Sequence, residues 1–371
     1  MHKKAKIYVA GHTGLVGSAL MRKLKAEGYA GLITRPHAEL DLTRQAAVES
    51  FFKKVRPDYV FLAAAKVGGI VANDTYPAEF IRTNLIIQTQ VIQAAWKCGV
   101  KRMLFLGSSC IYPRMCPQPI KEEYLLSGPL ESTNRAYAVA KIAGVEMCHA
   151  YNRQYGTRFV AVMPTNLYGP GDNFDLESSH VLPALIRKFH LGKMAEQGDW
   201  NAISADARQY GKITDDVMCN LVSVSRACGN RVPDRVISEC GGADGALQRR
   251  AGITLWGTGQ PKREFLHVDD MADACISVMN VEDRVLDPIL HCATGPLLNI
   301  GCGKDVTIRE LALLIKDIVG FKGDIIFDAS KPDGTPRKLL DVSKVKKLGW
   351  QSSIALGEGI RRTYAQYLKV F

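Results

Sequence analysis

From Lys6 to about Gly169, short β-branched or apolar runs alternate with longer stretches of helical periodicity, the rhythm of a parallel sheet covered by helices. Residues 7–10, 31–34, 59–63, 102–106 and 159–163 predict strands, and residues 18–27, 45–54 and 80–98 predict helices between them. The fold class that follows is α/β: a Rossmann-type doubly wound parallel sheet with a smaller, mostly C-terminal α/β substrate domain. Its ligand crevice is expected at the carboxyl ends of the strands.

Beyond Pro170 the pattern loosens into loops rich in Gly, Pro and Asp. Residues 192–251 mix charges of both signs without strand–helix alternation and read as an insertion or lid. Periodicity resumes with a strand at 253–256, after which Arg263-Glu264-Phe265-Leu266-His267-Val268-Asp269-Asp270 heads a helix to about Met279, its Val-Asp-Asp opening suiting an N-cap. An amphipathic helix over 307–319, a strand at 324–328, a Pro/Gly loop at 331–337 and a final helix from Leu356 complete the chain. The expected division is a first domain over 1–170, to which 264–301 returns, and a second region over 171–371 that includes the insertion.

Composition narrows the class. The chain has 371 residues, 47% of them hydrophobic, enough for a sizeable core. The opening Met1-His2-Lys3-Lys4 leads straight into the first strand and leaves no room for a cleavable leader, so a cytoplasmic location is expected. The longest apolar stretch, around Tyr59 to Ala72, is interrupted by Lys66 and falls short of the ~20 residues of a membrane span. Ten cysteines without a CxxC pair or a Cys/His cluster read as reduced thiols, with no metal site expected. The net charge of +11 is dispersed, as in Lys121-Glu122-Glu123, which argues against nucleic acid and suits a small polyanion.

The chemistry begins at Gly11-His12-Thr13-Gly14-Leu15-Val16-Gly17, between a predicted strand and a predicted helix. Glycines three apart permit a tight turn and close approach of a pyrophosphate to the helix N-terminus, as in a dinucleotide site. After the second strand, where an NAD enzyme often places an acid, the chain reads Thr34-Arg35-Pro36-His37. Arg35 and His37 offer donors to a 2′-phosphate, which favours NADP (NADPH) over NAD. Asp41-Leu42 resembles the acidic pair that lies beside the adenine, and Ala63-Ala64-Ala65-Lys66 ends the third strand.

Tyr137 and Lys141 lie four residues apart on one helical face. A nearby ammonium is expected to favour tyrosinate, so that the phenol exchanges a proton with a carbonyl. Ser108, about thirty residues upstream at the end of the fourth strand, adds a hydrogen-bond donor for the same oxygen. Ser, Tyr and Lys in this order after a glycine loop form the short-chain dehydrogenase/reductase pattern.

A narrower resemblance rests on Ala65-Lys-Val-Gly-Gly-Ile70, Leu106-Gly-Ser-Ser-Cys-Ile-Tyr-Pro113, Met163-Pro-Thr-Asn-Leu-Tyr-Gly-Pro170, Arg263-Glu-Phe-Leu-His-Val-Asp-Asp270 and Lys331-Pro-Asp-Gly-Thr-Pro-Arg-Lys338. These segments resemble the GDP-L-fucose synthase family of extended short-chain dehydrogenase/reductases. The resemblance implies 3,5-epimerisation and NADPH-dependent 4-reduction of GDP-4-keto-6-deoxy-D-mannose by a homodimer paired through helices 80–98 and 134–151. It assigns Cys110 and His180 as the epimerisation acid/base pair. It adds Leu106, Gly107, Ser109, Pro164, Thr165, Asn166, Leu167 and His180 to the cofactor contacts. It places Asn166, Lys188, Trp256, Arg263, Asp333 and Lys338 on the substrate, the cations facing a diphosphate and Trp256 the base. Residues 192–251 are longer than in the commonly described members. Thr13 and His37 stand where the family often has Arg, which loosens the expected selectivity for NADPH, and Lys188 on the substrate side also stands where Arg is familiar, exchanging a planar fork for a point charge.

Two other readings fit the same fold. A 4,6-dehydratase or UDP-hexose 4-epimerase shares the glycine loop, but dehydratases usually carry an Asp-Glu pair after the catalytic Ser or Thr, where this chain has Ser109-Cys110-Ile111. A non-catalytic dinucleotide-sensing binder would typically lose the Tyr/Lys pair, which is intact here.

Overall fold

Apolar residues on every turn of the first strands leave them buried on both faces. Ile7, Val9, Val60, Phe61, Leu104, Phe105, Val160 and Val162 are all at or below 1% exposure. Such strands suit the centre of a parallel sheet. The computed structural model describes residues 1–239 and 251–369. In chain order the first 171 residues give β1 (Ile7–Ala10), α1 (Leu15–Ala26), β2 (Leu32–Ile33), α2 (Gln45–Val55), β3 (Tyr59–Leu62), α3 (Ile70–Thr75), α4 (Pro77–Lys97), β4 (Arg102–Leu106), α5 (Arg135–Tyr155), β5 (Phe159–Pro164) and β6 (Asn166–Tyr168). There follow α6 (Val181–Glu196), α7 (Trp200–Tyr210), α8 (Asp215–Ala227), α9 (Asp234–Glu239), β7 (Gly252–Trp256), β8 (Lys262–His267), α10 (Val268–Asn280) and β9 (Leu297–Ile300). The last elements used below are α11 (Ile308–Val319), β10 (Asp324–Asp328) and α12 (Leu356–Leu368).

The chain divides into two compact units. Unit 1 comprises Met1–Gly171, Glu264–Asp305 and Lys338–Ile354. Its six-stranded sheet runs β2-β1-β3-β4-β5-β9, every neighbouring pair parallel. The path steps outward from β1 to β2 and then reverses to β3 and β4, so right-handed crossovers put α1 on one face and α2 and α4 on the other. The packing agrees: α1 lies against α10, while α2, α4 and α5 pack in series. The reversal between β1 and β3 is the switch point of a doubly wound sheet. Beside the main sheet, β6 runs parallel to β8, pairing Asn166 with Phe265.

Unit 2 comprises Asp172–Arg263, Val306–Arg337 and Ala355–Phe371. β7 and β10 pair in parallel, and α6 packs against both α8 and α11. Phe189 stacks on Phe321 with ring centroids 5.8 Å apart. The Thr307 hydroxyl accepts from the Glu310 amide at 3.0 Å and the Glu310 carboxylate accepts from the Thr307 amide at 2.7 Å, a capping box that starts α11 where the sequence placed it.

Two expectations are corrected. Residues 192–239 are not a loosely patterned loop: they hold the end of α6 and then α7, α8 and α9. The rest of the expected insertion, through residue 250, lies outside the described residues. The helix to Met279 is also different: residues 263–267 belong to β8 and do not head it, and α10 is capped by His267, which accepts from the Asp269 amide at 3.2 Å through Nδ1. Asp270 instead binds the amides of Ser353 and Ile354 at 3.0 and 2.9 Å. Among the described residues no helix is long and apolar enough to cross a membrane.

Candidate active site

The glycine loop follows β1 at the switch point. Gly11 has φ +80°, and a Cβ there would come within 2.7 Å of the Ala64 amide at the end of β3. At Gly17 a Cβ would meet the Gly11 carbonyl oxygen at 2.0 Å, so both positions require glycine. Gly14 is the N-cap of α1 and supplies no capping side chain, which leaves the first amides of the helix for an anion. The loop therefore fits a dinucleotide pyrophosphate. His12 is half-buried and Thr13 exposed on the same loop. After β2, Arg35 and His37 are both exposed, the Arg35 guanidinium bonding the Thr34 carbonyl at 2.7 Å and lying 5.7 Å from the Phe51 ring. Asp41 binds the Thr43 amide and hydroxyl at 2.9 and 2.7 Å, which hold its carboxyl below the usual range, and Leu42 is buried.

The end of β4 gathers the chemistry. Ser108 leaves the strand in extended conformation, and its Oγ accepts from the Cys110 amide at 3.4 Å, starting a short 3-10 turn over Ser109–Ile111. The Tyr137 hydroxyl, reaching in from α5, lies close enough to Ser108 to feel it. Lys141, one turn further along α5 and only 3% exposed, donates to the Leu106 carbonyl at 2.7 Å. Its ammonium lies 5.7 Å from the Tyr137 ring centroid, over the face of the ring.

This geometry overturns one expectation. Burial pushes the Tyr137 hydroxyl well above its ordinary range, the neighbouring Cys110 adds to the rise, and only Ser108 opposes it. The ammonium expected to favour tyrosinate is engaged by a backbone carbonyl and sees the aromatic ring. Burial pulls Lys141 itself down to about 8, against the pull of Cys110. Burial also raises the Cys110 thiol, opposed first by the Lys338 charge, then by the Ser108 hydrogen bond and Lys141. A carbonyl at this point would meet a neutral phenol and hydroxyl as donors, with a thiol beside them.

Beyond β5, Thr165 and Asn166 are tied by their side chains to the Glu264 carbonyl at 3.1 and 2.8 Å. Sequence reasoning named Arg263 in that motif and missed Glu264. Glu264 is fully buried, with Oε1 accepting from the Gly303 amide at 2.6 Å and Oε2 from the Leu340 amide at 3.0 Å. An acid amid apolar neighbours in a strand was the available signal. Asn84 was also missed. From inside α4 it accepts from the Lys66 amide at 3.0 Å and donates to the Lys66 carbonyl at 2.9 Å, fixing the loop after β3.

In unit 2, His180 is the exposed N-cap residue of α6, and Lys188 lies two turns along, about 12 Å at helical rise. Burial lowers Lys188, with Asp216 opposing. Trp256 is 61% exposed with the Lys331 ammonium 5.6 Å from its ring centroid. Asp333 accepts from the Thr258 amide and hydroxyl at 2.9 and 2.7 Å, folding the turn that follows Trp256. Arg263 donates to the Thr335 carbonyl at 2.5 Å; burial lowers it and Asp333 opposes. Trp256, Arg263 and Asp333 thus share one surface of unit 2, whereas Lys338 belongs to unit 1 near Cys110.

Comparison with known proteins places this geometry. The chain matches the NAD dependent epimerase/dehydratase family over residues 7–227 and 203–292. It is 50% identical to GDP-L-fucose synthase 1 of Arabidopsis thaliana, covering 99% of this chain and 94% of the relative. It is 46% identical to GDP-L-fucose synthase of Escherichia coli (strain K12), covering 99% and 97%. Among solved structures, a GDP-D-glycero-L-gluco-heptose synthase from Campylobacter jejuni, determined in the presence of NADPH, is 38% identical with a TM-score of 0.84 over 99% of both chains.

Proposed function

The chain belongs to the NAD dependent epimerase/dehydratase family, in its GDP-L-fucose synthase branch, and from that premise we propose that it converts GDP-4-keto-6-deoxy-D-mannose to GDP-L-fucose with NADPH. The observation that carries this reading is the meeting of Ser108, Cys110, Tyr137 and Lys141 at the end of β4. NADPH, when bound, supplies the hydride. The 4-keto group makes the hydrogens on carbons 3 and 5 acidic. Ser108 and Tyr137 hold the enolate oxygen while Cys110 and His180 act as acid and base on those carbons. In the reduction Tyr137 gives its proton to the carbonyl oxygen, and Lys141 holds the nicotinamide ribose. The α1 N-terminus takes the pyrophosphate and Arg35 and His37 the 2′-phosphate, while Lys188 and Arg263 take the sugar nucleotide's diphosphate and Trp256 its base. The working unit in this proposal is a homodimer through α4 and α5.

A GDP-heptose is the second reading, favoured by the likeness to the Campylobacter jejuni synthase. The test is NADPH oxidation on adding GDP-4-keto-6-deoxy-D-mannose, with NADH and a GDP-4-keto-heptose in parallel and the product sugar separated by chromatography. NADPH consumption with GDP-L-fucose formed supports the proposal. A folded, dinucleotide-binding chain that turns over only the heptose substrate overturns it. Cys110→Ser should abolish solvent-deuterium incorporation at carbons 3 and 5, and unaltered incorporation would remove Cys110 from the reaction.

A further inference from the structure

Behind the turn that carries Cys110 lies a polar network that the assignments above leave unused. Asn299, in β9, is fully buried and makes four hydrogen bonds to three separate segments. The Tyr112 hydroxyl, two residues past Cys110, donates to its Oδ1 at 2.6 Å. Its Nδ2 donates to the carbonyls of Ile120 at 2.9 Å and Asp341 at 3.2 Å. Its own amide donates to the buried Glu122 carboxylate at 3.0 Å, which in turn faces the Lys344 ammonium at 3.4 Å. The side-chain amide thus spends both N–H groups and its oxygen on segments distant in sequence, a buried network with every member partnered.

Two of those segments carry the groups that matter to Cys110. The stretch after Lys338 is pinned residue by residue. The Leu339 amide donates to Gln118 at 2.9 Å, and the Ile120 amide donates to the Leu339 carbonyl at 2.7 Å. The Leu340 amide donates to Glu264 at 3.0 Å, and the Asp341 amide donates to the Ile120 carbonyl at 2.8 Å. Lys338 stands at the head of this stretch, and its charge is the largest influence opposing burial of the Cys110 thiol. The other groups facing that thiol are Ser108 on its own turn and Tyr137 and Lys141 on α5.

We propose that Asn299 is a positioning residue for Cys110: it locks the 110–113 turn to the 338–341 stretch, so that the Cys110 thiol and the Lys338 ammonium are held as a pair. The pair is the feature that would let a desolvated thiol act as a base, since an ammonium nearby favours the thiolate. This deepens the epimerase reading and rests on it for its catalytic meaning, but the pairing itself is testable without substrate.

The experiment is a thiolate titration at 240 nm, each chain measured against the same chain carrying Cys110→Ser, so that the difference reports this one sulfur. Lys338→Met is expected to move the Cys110 midpoint up by about one pH unit, a tenfold loss of thiolate on the rising limb. Asn299→Ala is expected to move it up comparably, and Asn299→Ala with Lys338→Met no further than Lys338→Met alone, because both act through one pair. Should Asn299→Ala fail to fold, Tyr112→Phe removes only the bond from the Cys110 turn and should give a smaller shift in the same direction. Overturning results are an unmoved midpoint in Lys338→Met, an unmoved midpoint in both network variants, additive shifts in the double variant, or no Cys110 step in the unsubstituted chain. Deuterium incorporation at carbons 3 and 5, run on the same proteins, separates the two ideas. Shifted midpoints with incorporation unaffected by Cys110→Ser would leave the pairing intact and remove its catalytic role.

Discussion

Each unit of the chain buries a cluster of ionisable side chains, and the two clusters differ in what they leave unspent. In unit 2, Arg187 is fully buried and four of the five N–H groups of its guanidinium are engaged: Nε meets Asp206 at 2.7 Å, Nη1 meets the carbonyls of Phe174 and Tyr210 at 3.2 and 2.9 Å, and Nη2 meets the Gly211 carbonyl at 2.6 Å. The second oxygen of Asp206 accepts from the Tyr367 hydroxyl. In unit 1, Lys141 makes one hydrogen bond among the described residues, to Leu106, where an ammonium can make three. Its neighbours Ser108, Cys110 and Tyr137 are a hydroxyl, a thiol and a phenol beside a charge that burial has pulled down to about 8. Burial alone therefore does not mark a site. The nearly filled cluster ties α6, α7 and α12 together; the other leaves donors and a shifted proton uncommitted.

The sharpest way to break that comparison is Tyr137→Phe. Loss of the proton donor is expected to lower kcat for the reduction by about 10²–10⁴-fold. Stability should change by no more than about 1 kcal/mol, the worth of one hydrogen bond, since only a hydroxyl is removed from the side chain. Steady-state NADPH oxidation and a thermal melt on the same preparation check both halves. Retention of more than a tenth of the parent kcat would show that the phenol is not the donor. The mirror experiment is Asp206→Ala, which leaves a buried guanidinium uncompensated and is expected to cost about 3–5 kcal/mol in urea unfolding. Arg187→Met with Asp206→Leu should recover only part of that loss, since it removes the uncompensated charge but leaves the carbonyls of Phe174, Tyr210 and Gly211 and the Tyr367 hydroxyl without these partners. If the double variant is no more stable than Asp206→Ala, the network does more than hold helices together.

The sequence was legible where burial and polarity alternate cleanly. β1 and β3 are apolar throughout and β4 is apolar after Arg102, all three fall within a residue of their predicted bounds, and the glycine loop announces itself because Gly11 and Gly17 tolerate no Cβ. The helices of 200–239 were not read, and the reason lies in their buried faces. Asp206, Asn220, Ser223 and Ser225 all point inward at 6% exposure or less, so polar residues occupy positions that periodicity expects to be apolar. Their ends were nonetheless signalled: Asp199 caps α7 by accepting from the Ala202 amide at 2.9 Å, Gly211 with φ +90° stops it, and Asp215-Asp216 open α8. β9 escaped for a related reason, since an asparagine in a four-residue strand argues against strand. Ser108, Tyr137 and Lys141 were found through spacing, and the structure brings them together. The direction of the Tyr137 shift was not readable, because it is set first by the burial of the hydroxyl and then by the neighbouring Cys110, neither of which the spacing of the motif reveals.

The smallest effect is also the most specific to the comparison, because it asks what burial costs Lys141, whose ammonium makes one hydrogen bond where Arg187 makes four. An unfolded lysine keeps its proton to about 10.5, whereas the folded chain releases that of Lys141 near 8. Between those values the unfolded state binds more protons than the folded one, so stability rises with pH across this window. Below about 8 both states are protonated and the full burial cost is present; above about 10.5 both are neutral and it is gone. The rise amounts to at most about 3 kcal/mol at 1.36 kcal/mol per pH unit. Urea unfolding of the parent chain and of Lys141→Met, measured at half-unit steps from pH 7 to 10.5, isolates the contribution as the difference between two curves. That difference should be largest, in favour of the Met variant, below pH 8 and should shrink steadily toward pH 10.5. Parallel curves would mean that the bond to Leu106 and the Phe105 ring face, 4.8 Å from the ammonium, compensate the desolvation fully. Lys141 would then belong with Arg187 among the satisfied buried cations.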